Sequence, residues 1–371
     1  MFRCRVREVT IREMKNRKPK VLHVLKSSIY SGAEHIVFTI VKRLTGQFDL
    51  IYVASEGPIR EALEREGLPF ELLTRFDRKH LNIIIKRQKP DIIHAHDFSA
   101  TVLCASIKGD FRLISHLHYD PPWVEKWNIK TLVYLWCRKR IETVFLVSSR
   151  MPVRMIFFKQ YRDKMRIMEN PIDRKRISDL AKQIPEGWMR EEIPCDLLFV
   201  GRFVEQKNPQ RFLYLIEQLK RDGWSSIKAK MLGDGPLRQE CQELAERLGL
   251  QEQLEIIGFQ KNPYPFIRQA GLLCVTSRWE GFGLVVAEAN LLGVPVLSTD
   301  TSGCLGILGN EAKEICRTDK EFLDKIKLLR NHQEEYDAWK ERALSRAAQF
   351  VDVEEYMTIL SEVYRSEGMK C

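Results

Sequence analysis

Twelve short apolar runs, most of them followed by a stretch of helical period, constrain this chain more than any other feature. In the first half they read VLHVLK (21–26), DLIYVAS (49–55), FELLT (70–74), DIIHAH (91–96), RLISHLH (112–118), TVFLVSS (143–149) and MRIME (165–169). In the second half they read DLLFVGR (196–202), IKAKMLG (227–233), LEIIGF (254–259), GLLCVTS (271–277) and VPVLSTD (294–300). Their apolar residues are consecutive and not alternating, which suits strands buried on both faces, and hence parallel sheets covered by helices. The stretches 34–44, 59–67, 209–222, 236–248, 262–270 and 283–292 carry the helical pattern between them. A Pro-, Gly- and charge-rich segment, IPEGWMREEIP (184–194), separates the two sets. The chain has 371 residues, too long for one core. The expected fold is therefore α/β, with two doubly wound parallel-sheet domains facing a cleft. The expected boundaries are a basic extension 1–19, an N-terminal domain 20–187, a C-terminal domain 188–350 and an amphipathic helix within 351–371. Ligands of such sheets bind at the carboxyl ends of the strands, so function is sought in the loops that follow the runs.

One such loop is RWEGFGLVVAE (278–288). The strand ends near Ser277, Gly281 and Gly283 permit a tight turn with close backbone approach, and a helix continues until Gly293 at a C′ position. Glu280 sits at the turn and Glu288 one to two turns into the helix. Positions 282 to 288 span roughly 9 Å at the helical rise. That is the reach from a sugar across a diphosphate to a ribose, and free N–H groups at a helix start suit an anion. The plain alternative is a solvent-exposed Glu280 and a helix-surface Glu288.

Other strand ends add weaker signals. In FVGRFVEQKNP (199–209), Arg202 and Lys207 could clamp a diphosphate, or be two surface cations. Gly32 in SSIYSGAEH (27–35) opens the first helix, without the G-x-G-x-x-G of dinucleotide binding. MLGDGP (231–236) places Gly233 in another strand-end turn. His94 and His96 alternate on one run and His116 and His118 on the next, so each pair faces one side. The nearby Asp97 and Asp120 lack metal-ligand spacing, and no metal is expected. His118, last of its run, is placed at the cleft mouth as a hydrogen-bond donor, and His94 reads as a core residue. No D-x-D occurs to bridge a metal to a diphosphate.

Charge and cysteine usage narrow the setting. The net charge of +10 is uneven: residues 1–190 hold 37 Lys/Arg against 21 Asp/Glu, and the rest 23 against 29. The first half is thus expected to face something anionic, such as a membrane surface or a phosphorylated acceptor. Nine scattered cysteines, with no C-x-x-C pair, indicate neither a disulfide framework nor a zinc site. No apolar run approaches the roughly 18–20 residues of a membrane span, and the N-terminus lacks a signal core. The expected location is cytoplasmic, with contact at the inner face of the cell membrane.

The ordered set SGAE (31–34), HLHYD (116–120), ENPID (169–173), GRFVEQK (201–207), GDGP (233–236) and EGFGLVVAE (280–288) resembles the group 1 glycosyltransferases, glycosyltransferase family 4, of GT-B architecture. The resemblance runs from about residue 20 to the end and is greatest to bacterial members that build surface polysaccharides. It implies two Rossmann-like domains, with the last helix crossing back to the first. It implies a retaining, metal-independent transfer of a sugar from a UDP- or GDP-linked donor to a glycan or polyprenyl-diphosphate-linked acceptor, with no cofactor. Glu280, His118, Arg202 and Lys207 are then the residues near the chemistry. Gly32, Arg202, Lys207, Gly233, Glu280, Gly281, Phe282, Gly283, Leu284 and Glu288 bind the donor. Two departures stand out: Asn170-Pro171 replaces the usual Asn-Gly, and TSGCLGILGNEAKEI (301–315) has Gly306 or a neighbour where a glutamate is expected.

On the acceptor side, HYDPPWVEKWNIKTLVYLWCRKR (118–140) offers Trp123 and Trp127 as sugar-stacking aromatics, followed by an apolar helix with a basic end. That helix either lies on anionic lipid or packs in the core. Two further classes stay open. One is a sugar-nucleotide isomerase or phosphorylase on the same fold. The other is a basic nucleic-acid or membrane-binding module, which leaves the paired glutamates unexplained; nucleic acid is not an expected partner.

Overall fold

The computed structural model describes residues 17–30, 32–118 and 122–366. Most of the 1–19 extension, Ser31, Asp120 and the end of the last segment fall outside the described residues. All twelve runs form strands. β1 (Lys20–Val24), β2 (Asp49–Ser55), β3 (Phe70–Leu73), β4 (Ile92–Ala95), β5 (Arg112–Leu117), β6 (Ile141–Leu146) and β7 (Met165–Ile167) build a seven-stranded sheet in the order β3-β2-β1-β4-β5-β6-β7. β8 (Cys195–Val200), β9 (Ala229–Leu232), β10 (Leu254–Gly258), β11 (Ala270–Val275) and β12 (Val296–Ser298) build a five-stranded sheet ordered β10-β9-β8-β11-β12. Every pairing in both sheets is parallel. Central strands such as β4 are buried along their whole length, which is why their sequences are apolar without alternation.

Both strand orders reverse direction once. The chain walks outward from β1 to β3, then returns to lay β4 beside β1. It walks outward from β8 to β10, then returns to lay β11 beside β8. At such a reversal the two following loops diverge, and a crevice opens at the carboxyl ends of the strands. The loop after β8 carries Arg202 and Lys207, and the loop after β11 carries Glu280. Gly32 follows β1. The predicted site residues of the C-terminal domain therefore cluster at its switch point.

The final helix, Val353–Arg365, packs on the seven-stranded side of the molecule. Tyr356, Met357, Leu360, Val363 and Tyr364 join the core formed by Val21, Ile36 and Val41. Arg43 pairs with Glu354, and the Arg112 guanidinium donates to the carbonyls of Val363 and Tyr364. Burying five large side chains at ~1.5–3 kcal/mol each fastens the chain end to the first domain.

The two domains touch at several places. A Cβ on Gly32 would stand 3.3 Å from Leu284 Cδ1, and one on Gly306 would stand 3.1 Å from Ser148 Oγ. Arg150 hydrogen-bonds Asn310 across the same boundary. Among the described residues no helix is long and apolar enough to cross a membrane.

Candidate active site

Glu280 is buried, at 5 % exposure, which removes the solvent-exposed alternative. Its carboxylate accepts hydrogen bonds from Lys207 Nζ at 2.5 Å and Ser277 Oγ at 2.6 Å. Its backbone carbonyl accepts from Gly303 N and Ser302 Oγ, both at 3.1 Å. A carboxylate taken this far from water needs charged or polar donors, which Lys207 and Ser277 supply, while Gly303 and Ser302 fix the Glu280 backbone at the turn.

Helix Leu284–Leu291 begins directly after. Its N-cap is Gly283, at φ 86, a left-handed conformation that an L side chain adopts only with strain. No side chain caps this end; Val286 N and Ala287 N bond to the Gly283 carbonyl, and the Leu284 and Val285 N–H groups ahead of them lack an intrahelical acceptor. Phe282 is buried and anchors the turn, with Gly281 beside it. Leu284 faces Gly32 of the other domain. Glu288, in the second turn, is half-buried and accepts from Tyr264 Oη at 3.2 Å. Burial pushes its carboxyl up to about 7, while the Tyr264 bond and the charges of Arg176 and Lys207 pull the other way. Lys207 thus bonds one glutamate and lies within electrostatic reach of the other.

Arg202 is exposed at the end of β8 and has no side-chain hydrogen bond or ion pair among the described residues. Gly233 follows β9 and lies against the β8 loop: at φ 138, a Cβ there would fall 1.8 Å from the Gly201 carbonyl oxygen. Only glycine lets the two strand-end loops meet. Lys207 is joined to Glu280, and Gly233 brings the loop after β9 against the loop that carries Arg202.

His118 lies in the other domain, nearly buried at 9 % exposure. It is one end of a cluster that sequence reading grasped only as two pairs. His23 from β1 joins His94 and His96 around β4 and His116 and His118 around β5, because β1, β4 and β5 are neighbours. His23 Nδ1 meets His96 Nε2 at 2.9 Å, His96 Nδ1 meets His118 Nε2 at 2.9 Å, and His94 Nδ1 meets Tyr364 Oη at 2.7 Å. Burial lowers His23 and His118 to about 3 and holds His94, His96 and His116 well below the usual range, so all five are neutral. The sets His23/His94/His96 and His96/His116/His118 each bring three ring nitrogens within 4.8 Å. Their rings, however, stack along the strands, with centroids 4.0 Å apart for His94/His96 and 3.9 Å for His116/His118. The His23–His96 and His96–His118 hydrogen bonds already engage ring nitrogens of both sets, and among the described residues no carboxylate or thiolate joins either one. Asp97 is committed elsewhere: it caps helix Phe98–Ala105 and accepts from Lys26 N.

The two tryptophans part company. Trp123 is half-buried in an aromatic cluster with Phe98, Tyr134 and Phe157. Trp127 stands exposed. Sequence reading missed Ser277 and Tyr264, the partners of the two glutamates. Ser277 was legible as the residue three before Glu280; Tyr264 comes from a separate helix, Tyr264–Gln269, and no local spacing announces it.

Comparisons with known proteins identify the family and the fold. Residues 30–176 match the family model for Glycosyltransferase Family 4, and residues 184–346 match that for glycosyl transferases group 1. An uncharacterized glycosyltransferase of Methanocaldococcus jannaschii is 27 % identical over 250 residues, covering 62 % of this chain but only 60 % of its own length. A UDP-Gal:α-D-GlcNAc-diphosphoundecaprenol α-1,3-galactosyltransferase of Escherichia coli is 24 % identical over 330 residues, covering 79 % of this chain and 82 % of its own. The crystal structure of Anabaena HepE in complex with UDP-glucose superposes with a TM-score of 0.79 at 19 % identity, over 93 % of this chain and 98 % of that one. With both domains matched in order and the fold shared over 93 % of its length, the chain belongs to the group 1 glycosyltransferases of family 4 and has the GT-B fold.

Proposed function

We propose that the protein transfers a sugar from a nucleotide-diphosphate donor to a lipid-linked or glycan acceptor in surface-polysaccharide synthesis. The observation that carries this reading is the buried Glu280–Lys207 pair at the switch point, with half-buried Glu288 one helix turn beyond. In this arrangement Glu288 accepts hydrogen bonds from the ribose hydroxyls. Arg202, Lys207 and the uncapped helix start hold the diphosphate, and Glu280 binds hydroxyls of the sugar. Charge grows on the diphosphate as the sugar leaves, and two cations already in place stabilise it without reorganising. That supports a metal-independent reaction; retention of configuration is what the family resemblance implies. HepE was crystallised with UDP-glucose and the E. coli relative is named for a diphosphoundecaprenol acceptor, which favours a UDP-sugar and a polyprenyl-diphosphate acceptor here.

A membrane-facing surface supports the lipid-linked acceptor. Helix Ile129–Cys137 does not simply pack in the core: Trp127, Ile129, Leu132, Trp136 and Val153 each expose more than half of their surface. The short helix bearing Val153 is docked on the segment before Trp127, through Ile156 N to Val124 O. The exposed Lys126, Lys130, Lys139 and Lys159 belong to the same segments. Exposed apolar side chains with lysines in the same segments suit an anionic bilayer.

The test is transfer from UDP- and GDP-sugars to a lipid-diphosphate acceptor after chelator treatment, with NMR of the product anomer. Transfer with retention is expected. Epimerised donor or phosphorolysis products would indicate an isomerase or phosphorylase, and loss of activity on chelation would refute metal independence. Sedimentation with phosphatidylglycerol but not phosphatidylcholine vesicles, lost in Trp127→Ser/Trp136→Ser, checks the membrane surface.

A further inference from the structure

A second cavity, of about 520 Å³, lies between the domains behind the Glu280 turn. Arg150 and Arg154 line it from the loop after β6, and Arg278, Trp279, Asp300 and Thr301 line it from the other domain. Ser302, on the same wall, is the residue whose hydroxyl donates to the Glu280 carbonyl. One residue layer therefore separates this cavity from the buried carboxylate of the donor crevice.

Its charge is unbalanced. Three guanidinium groups face one carboxylate. Arg154 is engaged by Glu125, and Asp300 lies 3.8 Å from Arg317. Arg278 is exposed, with an exposed Glu205 at 3.6 Å. Among the described residues the Arg150 guanidinium has only a neutral partner, the Asn310 amide oxygen. Two arginines from different domains lining one space form a donor set for an oxyanion, and the fork geometry of arginine suits phosphate and carboxylate alike.

We propose that this cavity is an acceptor subsite that binds an oxyanion, a phosphate or a carboxylate carried by the acceptor, through Arg150 and Arg278. The proposal rests on the transferase reading above. The group comes either from the diphosphate of a lipid carrier or from an acidic sugar of the growing glycan. Because Arg150 and Arg278 belong to different domains, the bound anion also fastens the domains together beside the reacting bond.

The test is calorimetric titration of the full chain with inorganic pyrophosphate and, separately, glucuronate, each with and without saturating UDP. UDP fills the donor phosphate position, so anion binding that persists reports the second cavity. Pyrophosphate or glucuronate should bind the UDP-saturated protein, and whichever binds identifies the source. Arg150→Ala and Arg278→Ala should each weaken that binding at least about tenfold, with UDP affinity within twofold of wild type. Asn310→Ala removes the cross-domain bridge but no charge, and should leave anion binding intact. Failure of both anions to bind the UDP-saturated protein, or indifference to both arginine changes, overturns the proposal. So does an equal loss in Asn310→Ala, which would make Arg150 a domain tie only. If UDP itself does not bind, the donor reading fails by itself, and the arginine variants titrated with pyrophosphate alone still judge the cavity.

Discussion

The raised pKa of Glu288 makes donor affinity depend on pH in a defined direction. The carboxyl is pushed up to about 7 by burial. If it accepts the ribose hydroxyls as a carboxylate, binding needs its ionised form. That form makes up about ten-elevenths of the protein at pH 8 and about one-eleventh at pH 6, so affinity should fall about tenfold between them, or ~1.4 kcal/mol. UDP-glucose is a suitable probe, because its diphosphate charges do not titrate in this range. Isothermal titration at pH 6, 7 and 8 and constant ionic strength reads the effect. Glu288→Gln should bind with one affinity throughout, close to the wild-type value at pH 6. The free protein offers an independent check. A carboxyl whose folded value is raised stabilises the fold below its unfolded value of 4.5, and that contribution is lost as pH rises through 7. Glu288→Gln should therefore be more stable than wild type at pH 8, by ~1–3 kcal/mol, and no more stable at pH 4.5. A wild-type affinity flat within twofold, or a slope that survives in the Gln variant, would refute the assignment of Glu288 to the ribose.

Three further outcomes are expected. Lys207→Ala should lower transfer about 10²–10³-fold with the fold intact, since it removes charge stabilisation and leaves Glu280 bonded to Ser277 alone; steady-state rates and circular dichroism check both halves. His118→Phe should flatten the acid side of the stability profile. A histidine whose folded value is lowered to about 3 stabilises the fold above 6.5, and that contribution is lost as pH falls below 6.5. His118 should thus cost wild type ~2 kcal/mol at pH 5, read as the wild-type minus variant difference in urea unfolding between pH 7.5 and 5. Gly233→Ala should destabilise by more than ~3 kcal/mol, because the new Cβ collides with the Gly201 carbonyl and no side-chain rotation relieves a backbone clash; a shift below ~1 kcal/mol in urea would count against the close approach.

Much of the fold could be read locally. Consecutive apolar runs announced strands buried on both faces, and all twelve formed. Gly283 and Gly293 marked the start and stop of the Glu288 helix, because a positive φ is a property of a single residue. The segment 129–137 was ambiguous for a physical reason: its apolar residues cover both faces, and only packing shows that Tyr134 and Cys137 point inward while Leu132 and Trp136 point out.

The sequence by itself determined the element types, the two-domain alternation and the eight-residue spacing of Glu280 and Glu288, since each depends on periodicity or turn chemistry within one segment. Only the tertiary structure decided that β11 returns beside β8, bringing Glu280 to Lys207 across 73 positions. The same is true of β1, β4 and β5 gathering five histidines, of Tyr264 reaching Glu288, and of Arg150 and Arg278 sharing one cavity. Strand order and domain docking arise from the burial of surfaces remote in the chain, and no local spacing records which surfaces meet.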